Sequence, residues 1–190
     1  MEETARADLE LLWIQQIAAG DRDAFENLYK AYAPRLFRYL FSMIADAGAA
    51  EELTNDVMVA AWKGAAAFRG DSKPSTWLFG IAHHKVLNAW RRKQPTTVEM
   101  EEASRIAASD EGPEEAVQRQ GLEQRVRGAL QELSPEHRAV VELTFYHGLS
   151  YQEIAQIVAS PVNTVKTRMF YAKKKLQEAL GKDDMIGEVP

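Results

Sequence analysis

Cysteine is absent from the chain of 190 residues. Disulfides, thiolate metal sites and cysteine nucleophiles are thereby excluded. No uncharged apolar run approaches the length needed to cross a bilayer. The start, Met1-Glu2-Glu3, has neither the basic segment nor the apolar stretch of a secretory leader. A soluble, cytoplasmic protein without membrane insertion is expected. Strand-like alternation is missing, and the 11 glycines and 7 prolines fall mostly where helices would begin or end. There is no glycine-rich phosphate loop and no HExxH pair, and the carboxylates cluster on helix faces and in one acidic stretch. The expectation is therefore a protein that is not an enzyme and needs no cofactor.

Enough apolar material is present for a packed core, at 46% hydrophobic residues with 27% charged. The net charge of −5 argues weakly against a nucleic-acid binder, but the total hides a sorting along the chain. Residues 1–67 carry −5, residues 68–94 carry +5 and residues 95–118 carry −6. Residues 119–145 are neutral, residues 146–182 carry +4 and residues 183–190 carry −3. Two separated basic blocks in an acidic protein suggest two contact surfaces for one polyanion, with solvated helix faces as the plain alternative.

The pattern predicts an all-α protein of two small helical domains, residues 1–94 and 119–182, joined by a flexible acidic linker over 95–118 and followed by a tail over 183–190. In the first domain Asp21 is placed to cap a helix holding Phe25, Leu28, Tyr29 and Tyr32, and Pro34 starts or kinks a second one. A third helix is expected from about Ala49 to Ala67, burying Leu53, Val57 and Ala61 beside Met58 and Trp62. Its other side carries Glu52, Asn55, Asp56 and Lys63. After an irregular loop through Phe68-Arg69-Gly70-Asp71-Ser72-Lys73-Pro74, a fourth helix begins with Ser75 or Thr76 as its cap.

In the second domain Ser134-Pro135 opens a helix that Gly148 ends. Ser150-Tyr151-Gln152-Glu153 has capping-box spacing, and Ser160-Pro161 repeats the cap-and-proline signal. Residues 151–170 match a helix-turn-helix, with Ala155 at the crossing of the two helices. Asn163, Thr164, Lys166, Thr167 and Arg168 lie near the start of the second helix, where amide and guanidinium groups can read base edges. Lys173, Lys174 and Lys175 can meet phosphates. Ala159 stands where such turns often use glycine for its left-handed backbone. A helical hairpin with a solvated basic face is the plain reading of the same residues.

The first basic block interleaves Phe68, Trp77, Phe79 and Trp90 with Arg69, Lys73, Lys85, Arg91 and Arg92, plus Ser72, Ser75, Thr76 and Asn88. Rings in a basic groove can stack on the bases of single strands. Helical spacing, with Trp77 and Ile81 on one face, favours the core for these rings, leaving the polar loop before Trp77 as the better holder of an unstacked base. His83 and His84 are adjacent and point about 100° apart on a helix, so they are poor joint metal ligands and are expected to be packed or solvated.

Taken in order, Glu51-Glu52-Leu53-Thr54-Asn55-Asp56-Val57, Ala61-Trp62, Phe68-Arg69-Gly70, Ser75-Thr76-Trp77-Leu78 and Arg91-Arg92 form one series. Beyond the linker follow Leu133-Ser134-Pro135, Gly148-Leu149-Ser150-Tyr151, Glu153-Ile154-Ala155 and Thr164-Val165-Lys166. The series resembles the extracytoplasmic-function sigma factors of bacteria, members of the sigma-70 family, over nearly the whole chain. The resemblance implies that Glu52, Asn55, Asp56 and Lys63 bind the beta-prime clamp helices of core RNA polymerase. It implies that the loop from Arg69 to Ser75 and the helix from Thr76 to Arg92 open and read the minus-ten promoter element, through Arg69, Ser72, Lys73, Ser75, Thr76, Trp77, Lys85, Asn88, Arg91 and Arg92. The helix-turn-helix would read the minus-thirty-five element with Asn163, Thr164, Lys166, Thr167, Arg168, Lys173 and Lys174. The linker would thread polymerase channels, and an anti-sigma factor would hold the protein inactive by clamping between the domains. His84, Asn88 and Gly80 depart from residues common in that family, which bears on the minus-ten base preference and not on the role. The rival reading is a helix-turn-helix regulator that binds duplex DNA without joining polymerase. An inhibitory mimic of such a factor would lack the two basic surfaces.

Overall fold

The structure, a computed structural model, describes residues 2–93 and 125–181; the side chains of residues 2–5, 92 and 93 lie outside it. Every element among the described residues is helical, as expected. They form α1 (Glu2–Ala18), α2 (Arg22–Ile44), α3 (Ala47–Gly64), a 3-10 turn (Ala65–Ala67) and α4 (Pro74–Lys93). There follow α5, helical over 125–131, α6 (Pro135–Phe145), α7 (Tyr151–Ile157) and α8 (Val162–Leu180). The linker and tail expected over 95–118 and 183–190 fall outside the described residues, as does the expected domain start at Arg119.

Caps set the helix boundaries. The Asp21 carboxylate accepts from the Asp23 and Ala24 amides at 2.9 and 3.0 Å, and Asp46 accepts from Ala49 at 2.9 Å. Pro34 does not split α2, contrary to expectation: one helix runs through it. The ring of Pro34 faces solvent, while Leu28, Tyr32, Leu36, Tyr39 and Leu40 on either side of it are buried. Each buried side chain contributes about 1.5–3 kcal/mol, so together they outweigh the roughly 3 kcal/mol that an interior proline costs. The fourth helix begins one residue before the expected caps. The Lys73 carbonyl accepts from the Trp77 amide and Pro74 fills the first helical position, leaving Ser75 and Thr76 inside the first turn.

The second half follows its signals more closely. Ser134 caps α6 with Pro135 after it, and the Ser150–Glu153 capping box forms in both directions. Gly148 has φ of +66°, and its amide reaches the Thr144 carbonyl. Ala159 adopts φ of +48°, so the helix-turn-helix bends through the left-handed region with an alanine. Ser160 does not cap α8. Its hydroxyl instead donates to the Val158 carbonyl, and α8 starts without a side-chain cap, with Pro161 turning the chain.

Two features had no signal in the sequence. Helix α1 closes the first half, burying Ile14 and Ile17 and accepting the Tyr32 hydroxyl on Glu10 at 2.5 Å. The second half then packs on the first, α6 against α2 and α7 against α4, in one continuous core. Arg138 of α6 is the joint, with 3% of its surface exposed. Its guanidinium donates to the Leu130, Gln131 and Leu133 carbonyls at the end of α5, and to the Ser42 and Met43 carbonyls in the last turn of α2. A cation there satisfies orphan carbonyls at two helix ends at once.

Candidate nucleic-acid and polymerase interfaces

At 100° per residue, Glu52, Asn55, Asp56 and Lys63 fall within an arc of about 100° on α3, and all four are exposed. Val59, 50% exposed, lies in the middle of that arc. Sequence reading overlooked Val59, although its helical position was there to be counted. The Tyr29 hydroxyl donates to the Asn55 side chain at 3.0 Å and orients it. Asp56 accepts from Lys85 at 3.3 Å, which joins a residue assigned to polymerase to one assigned to DNA.

Ser72, Thr76, Trp77, Lys85 and Asn88 line a single open cleft of about 640 Å³ along α4, together with Gly80, Ile81 and His84. Trp77 is half-buried against Phe68, ring centres 4.8 Å apart, so both rings anchor the loop rather than stand free. Phe79 is fully buried against Tyr39, and Trp90 packs against the core. The core reading of these aromatics is thus the correct one. Thr76 is 4% exposed, and its hydroxyl has no hydrogen-bond partner among the described residues. Asn88 lies 3.3 Å from His84 one turn away, and both edge the cleft.

Arg69 is exposed and pairs with Asp71, and Ser75 and Arg91 sit outside the cleft lining. The side chain of Arg92 is outside the described residues. Lys73 reaches across to Glu153 of α7 at 3.1 Å, and Gln156 of the same helix completes the cleft wall. His83 is buried with its Nδ1 2.7 Å from the Tyr39 hydroxyl, whereas His84 is exposed, so the two never share a ligand position. Burial holds the His83 imidazole down at about 4, with Arg168 adding to the effect.

On α8 the apolar stripe Val165, Met169 and Ala172 is buried. Asn163, Lys166, Thr167, Lys173 and Lys174 are exposed on the opposite side, with Phe170 among them at 66% exposure. Thr164 and Arg168 are half-buried; Arg168 lies 3.4 Å from the Ser160 hydroxyl and is held toward the turn. Ala155, on α7, is partly buried against the core. The result is an amphipathic second helix with a cationic outer face, which suits the phosphates and base edges of a major groove.

Residues 28–96 match the family model of sigma-70 region 2, and residues 123–176 match that of sigma-70 region 4. The chain is 34% identical over 164 residues to the RNA polymerase sigma factor YlaC of Bacillus subtilis, covering 85% of this chain and 94% of that one. It is 30% identical over 176 residues to the RNA polymerase sigma-H factor of Pseudomonas aeruginosa, covering 88% and 91%. It is 28% identical to the ECF RNA polymerase sigma factor SigW of Bacillus subtilis, covering 88% and 94%. Among solved structures, the sigma factor RpoE of Bartonella quintana, co-crystallised with the anti-sigma factor NepR, superposes with a TM-score of 0.68 at 25% identity, covering 85% and 98%.

Proposed function

This chain belongs to the extracytoplasmic-function sigma factors of the sigma-70 family, and on that premise we propose how its surfaces divide the work of promoter recognition. Such factors are regulatory subunits rather than catalysts, and the chain acts through binding alone. Residues 1–94 hold core polymerase and the minus-ten element, and residues 119–182 hold the minus-thirty-five element. Residues 95–118 cross the polymerase channels as an acidic mimic of nucleic acid.

The exposed α3 face of Glu52, Asn55, Asp56 and Lys63 docks on the clamp helices of the beta-prime subunit, with Val59 as the apolar centre of the contact. Polar docking of this kind sets register and partner choice more than raw affinity. The α4 cleft takes a base extruded from the opened strand. Trp77 forms a wall of it and Thr76 offers a buried hydroxyl without a protein partner among the described residues. Arg69, Lys73, Lys85, Arg91 and Arg92 track the backbone beside it. The outer face of α8 enters the major groove of the duplex upstream, Asn163, Lys166 and Thr167 toward base edges, the half-buried Thr164 and Arg168 at the margin of that face, and Lys173 and Lys174 toward phosphates.

The observation that carries this reading is the coexistence of two unlike nucleic-acid surfaces on one chain. One is an open cleft along α4 edged by Lys85, Thr76 and Trp77, and the other is a helix with an exposed cationic face. A duplex-only regulator leaves the cleft without a use. No described helix is long and apolar enough to cross a membrane, and work on polymerase places the protein in the cytoplasm. Control by an anti-sigma factor that clamps between the halves is part of the proposal, supported by the Bartonella relative being crystallised with one.

Co-elution of the purified protein with bacterial core RNA polymerase tests the reading. A stable complex that is lost on Asp56→Ala is the expected result. Tight duplex binding by the protein alone, with no polymerase complex, would replace it with the regulator.

A further inference from the structure

One side chain on the outer face of α8 has no part in the roles given so far. Phe170 is the most exposed large apolar side chain among the described residues, at 66%. At 100° per residue it lies within about 60° of Asn163, Lys166, Thr167, Lys173 and Lys174 on the helix wheel, and at least about 100° from the buried Val165, Met169 and Ala172. Its neighbours on the face are therefore an amide, a hydroxyl and three ammonium groups. A single exposed apolar side chain needs no explanation by itself. Two observations set this one apart. Tyr171, also exposed, meets it edge-on with ring centres 5.5 Å apart and planes at 77°, which braces the ring from one side. The surrounding lysines favour a polyanion over a protein partner, since the apolar centres of protein interfaces are depleted of lysine.

Within the major groove, the alkyl group that a base pair presents is the 5-methyl of thymine. We propose that Phe170 reads this methyl group, which makes it a specificity-determining residue of the upstream duplex contact, and that 5-methylcytosine satisfies it as thymine does. The inference rests on the assignment of α8 to the major groove given above, and it adds a chemistry that the polar residues of that face lack. Phe170 follows Thr167 by three residues, about 4.5 Å further along the axis. It thus stands between the residues directed to base edges and the two lysines directed to phosphates. Thymine and 5-methylcytosine carry the methyl at the same ring position and differ at the neighbouring 4-position, an oxygen in one and an amine in the other. Asn163 and Lys166 can tell these two apart by hydrogen bonding. An aromatic ring tells only methyl from hydrogen. Cytosine methylation at that base pair accordingly strengthens binding.

Full-length protein, alone and bound to bacterial core polymerase, is used to select duplexes from a random-sequence pool. Each thymine of the selected upstream sequence is then replaced singly by deoxyuridine, which removes the methyl and nothing else, and affinity is read by fluorescence anisotropy. One replacement is expected to weaken wild-type binding about fourfold, the factor that corresponds to burying one methyl group. At the same position 5-methylcytosine should bind about fourfold more tightly than cytosine. In Phe170→Ala both ratios should fall to one, while Phe170→Leu, which keeps an alkyl group, retains part of each. Each ratio is taken within one variant, so a general loss of affinity or folding does not imitate the result.

A selected upstream sequence without thymine, equal affinity for thymine and deoxyuridine at every position, or a methyl preference that survives Phe170→Ala would overturn the proposal. Parallel selections with Asn163→Ala and Lys166→Ala separate its failure from that of the reading beneath it. A selected sequence that changes with those two variants but not with Phe170→Ala removes Phe170 alone and leaves α8 as the reading helix. A pool from which no upstream sequence emerges, or one that no α8 substitution alters, sinks the assignment of α8 and this inference with it.

Discussion

Replacing Arg138 by methionine keeps most of the side-chain volume and removes every donor. Five carbonyls then lose their cation: three at the end of α5 and two in the last turn of α2. Charge-assisted hydrogen bonds contribute about 1.5–3 kcal/mol each in isolation, but five on one guanidinium are not additive. Removing one partner from a buried ionic site typically costs 3–5 kcal/mol, and that range is expected for Arg138→Met. Against a total of about 5–15 kcal/mol for an ordinary domain, this is a large fraction.

The pH dependence sharpens the test. Glu142 lies one turn along α6, 3% exposed. Burial pushes its carboxyl up to about 7 against the pull of Ser42, Arg138 and Arg38. The folded form therefore keeps a proton that the unfolded form has released. Its contribution to stability falls as pH rises from the ordinary carboxylate range to about 7, and is level above that. Without Arg138 the buried carboxylate loses a neighbouring cation, so the ionised form is penalised further. The loss in Arg138→Met should be greater at pH 8 than at pH 6. Urea unfolding followed by far-ultraviolet circular dichroism at both values measures it. A loss below about 1 kcal/mol, or one that is smaller at pH 8, would refute the account of Arg138 as the buried joint.

Glu142→Gln should remove the fall in stability between pH 5 and 8 and be the more stable protein at pH 8, by at most roughly 3 kcal/mol, in the same denaturant assay. His147, which burial and then Arg35 and Arg38 hold down at about 4, is neutral in the fold and charged when unfolded below about 6.5. Stability should accordingly drop as pH falls through that interval, and His147→Phe should shallow the drop in thermal melts. Ala159→Gly relieves a left-handed alanine that costs about 1–2 kcal/mol, less the extra freedom glycine gains in the unfolded chain. A net stabilisation of about 0.5–1 kcal/mol is expected, and a destabilised variant would show that the turn is held for another reason. Lys166→Ala should weaken minus-thirty-five duplex binding by about 1–3 kcal/mol if it reads a base edge, without changing the melting temperature. Arg168→Ala, half-buried near Ser160, should lower both.

Much of this protein is local, and locality is what a sequence exposes. Asp21, Ser134 and the Ser150–Glu153 box act within three residues of themselves, so their caps could be read directly, whereas the Asp46 cap, equally local, starts α3 two residues before the expected Ala49. The polar arc of α3 and the cationic face of α8 follow from helical periodicity alone. Ala159 was conspicuous because the turn needs a left-handed residue, and it takes that conformation. Where local signals misled, packing had the larger energy. Pro34 yielded to the buried rows on either side of it, and Ser160 lost its capping role once Pro161 turned the chain into α8.

The seam between the halves belongs to the tertiary structure. Nothing near Arg138 in sequence says that its guanidinium will meet carbonyls at Ser42 and Met43, nearly a hundred positions away. The burial of Glu142 and His83, each on a helix, and of His147, in the turn after α6, has the same origin, since the local pattern around each leaves its environment open. The sequence by itself determined where cationic residues recur along each helix, because charge and periodicity are properties of each helix. Only the tertiary structure decided that Glu153 meets Lys73 and that Gln156 lines the α4 cleft, because that depends on how two separately patterned halves share one core.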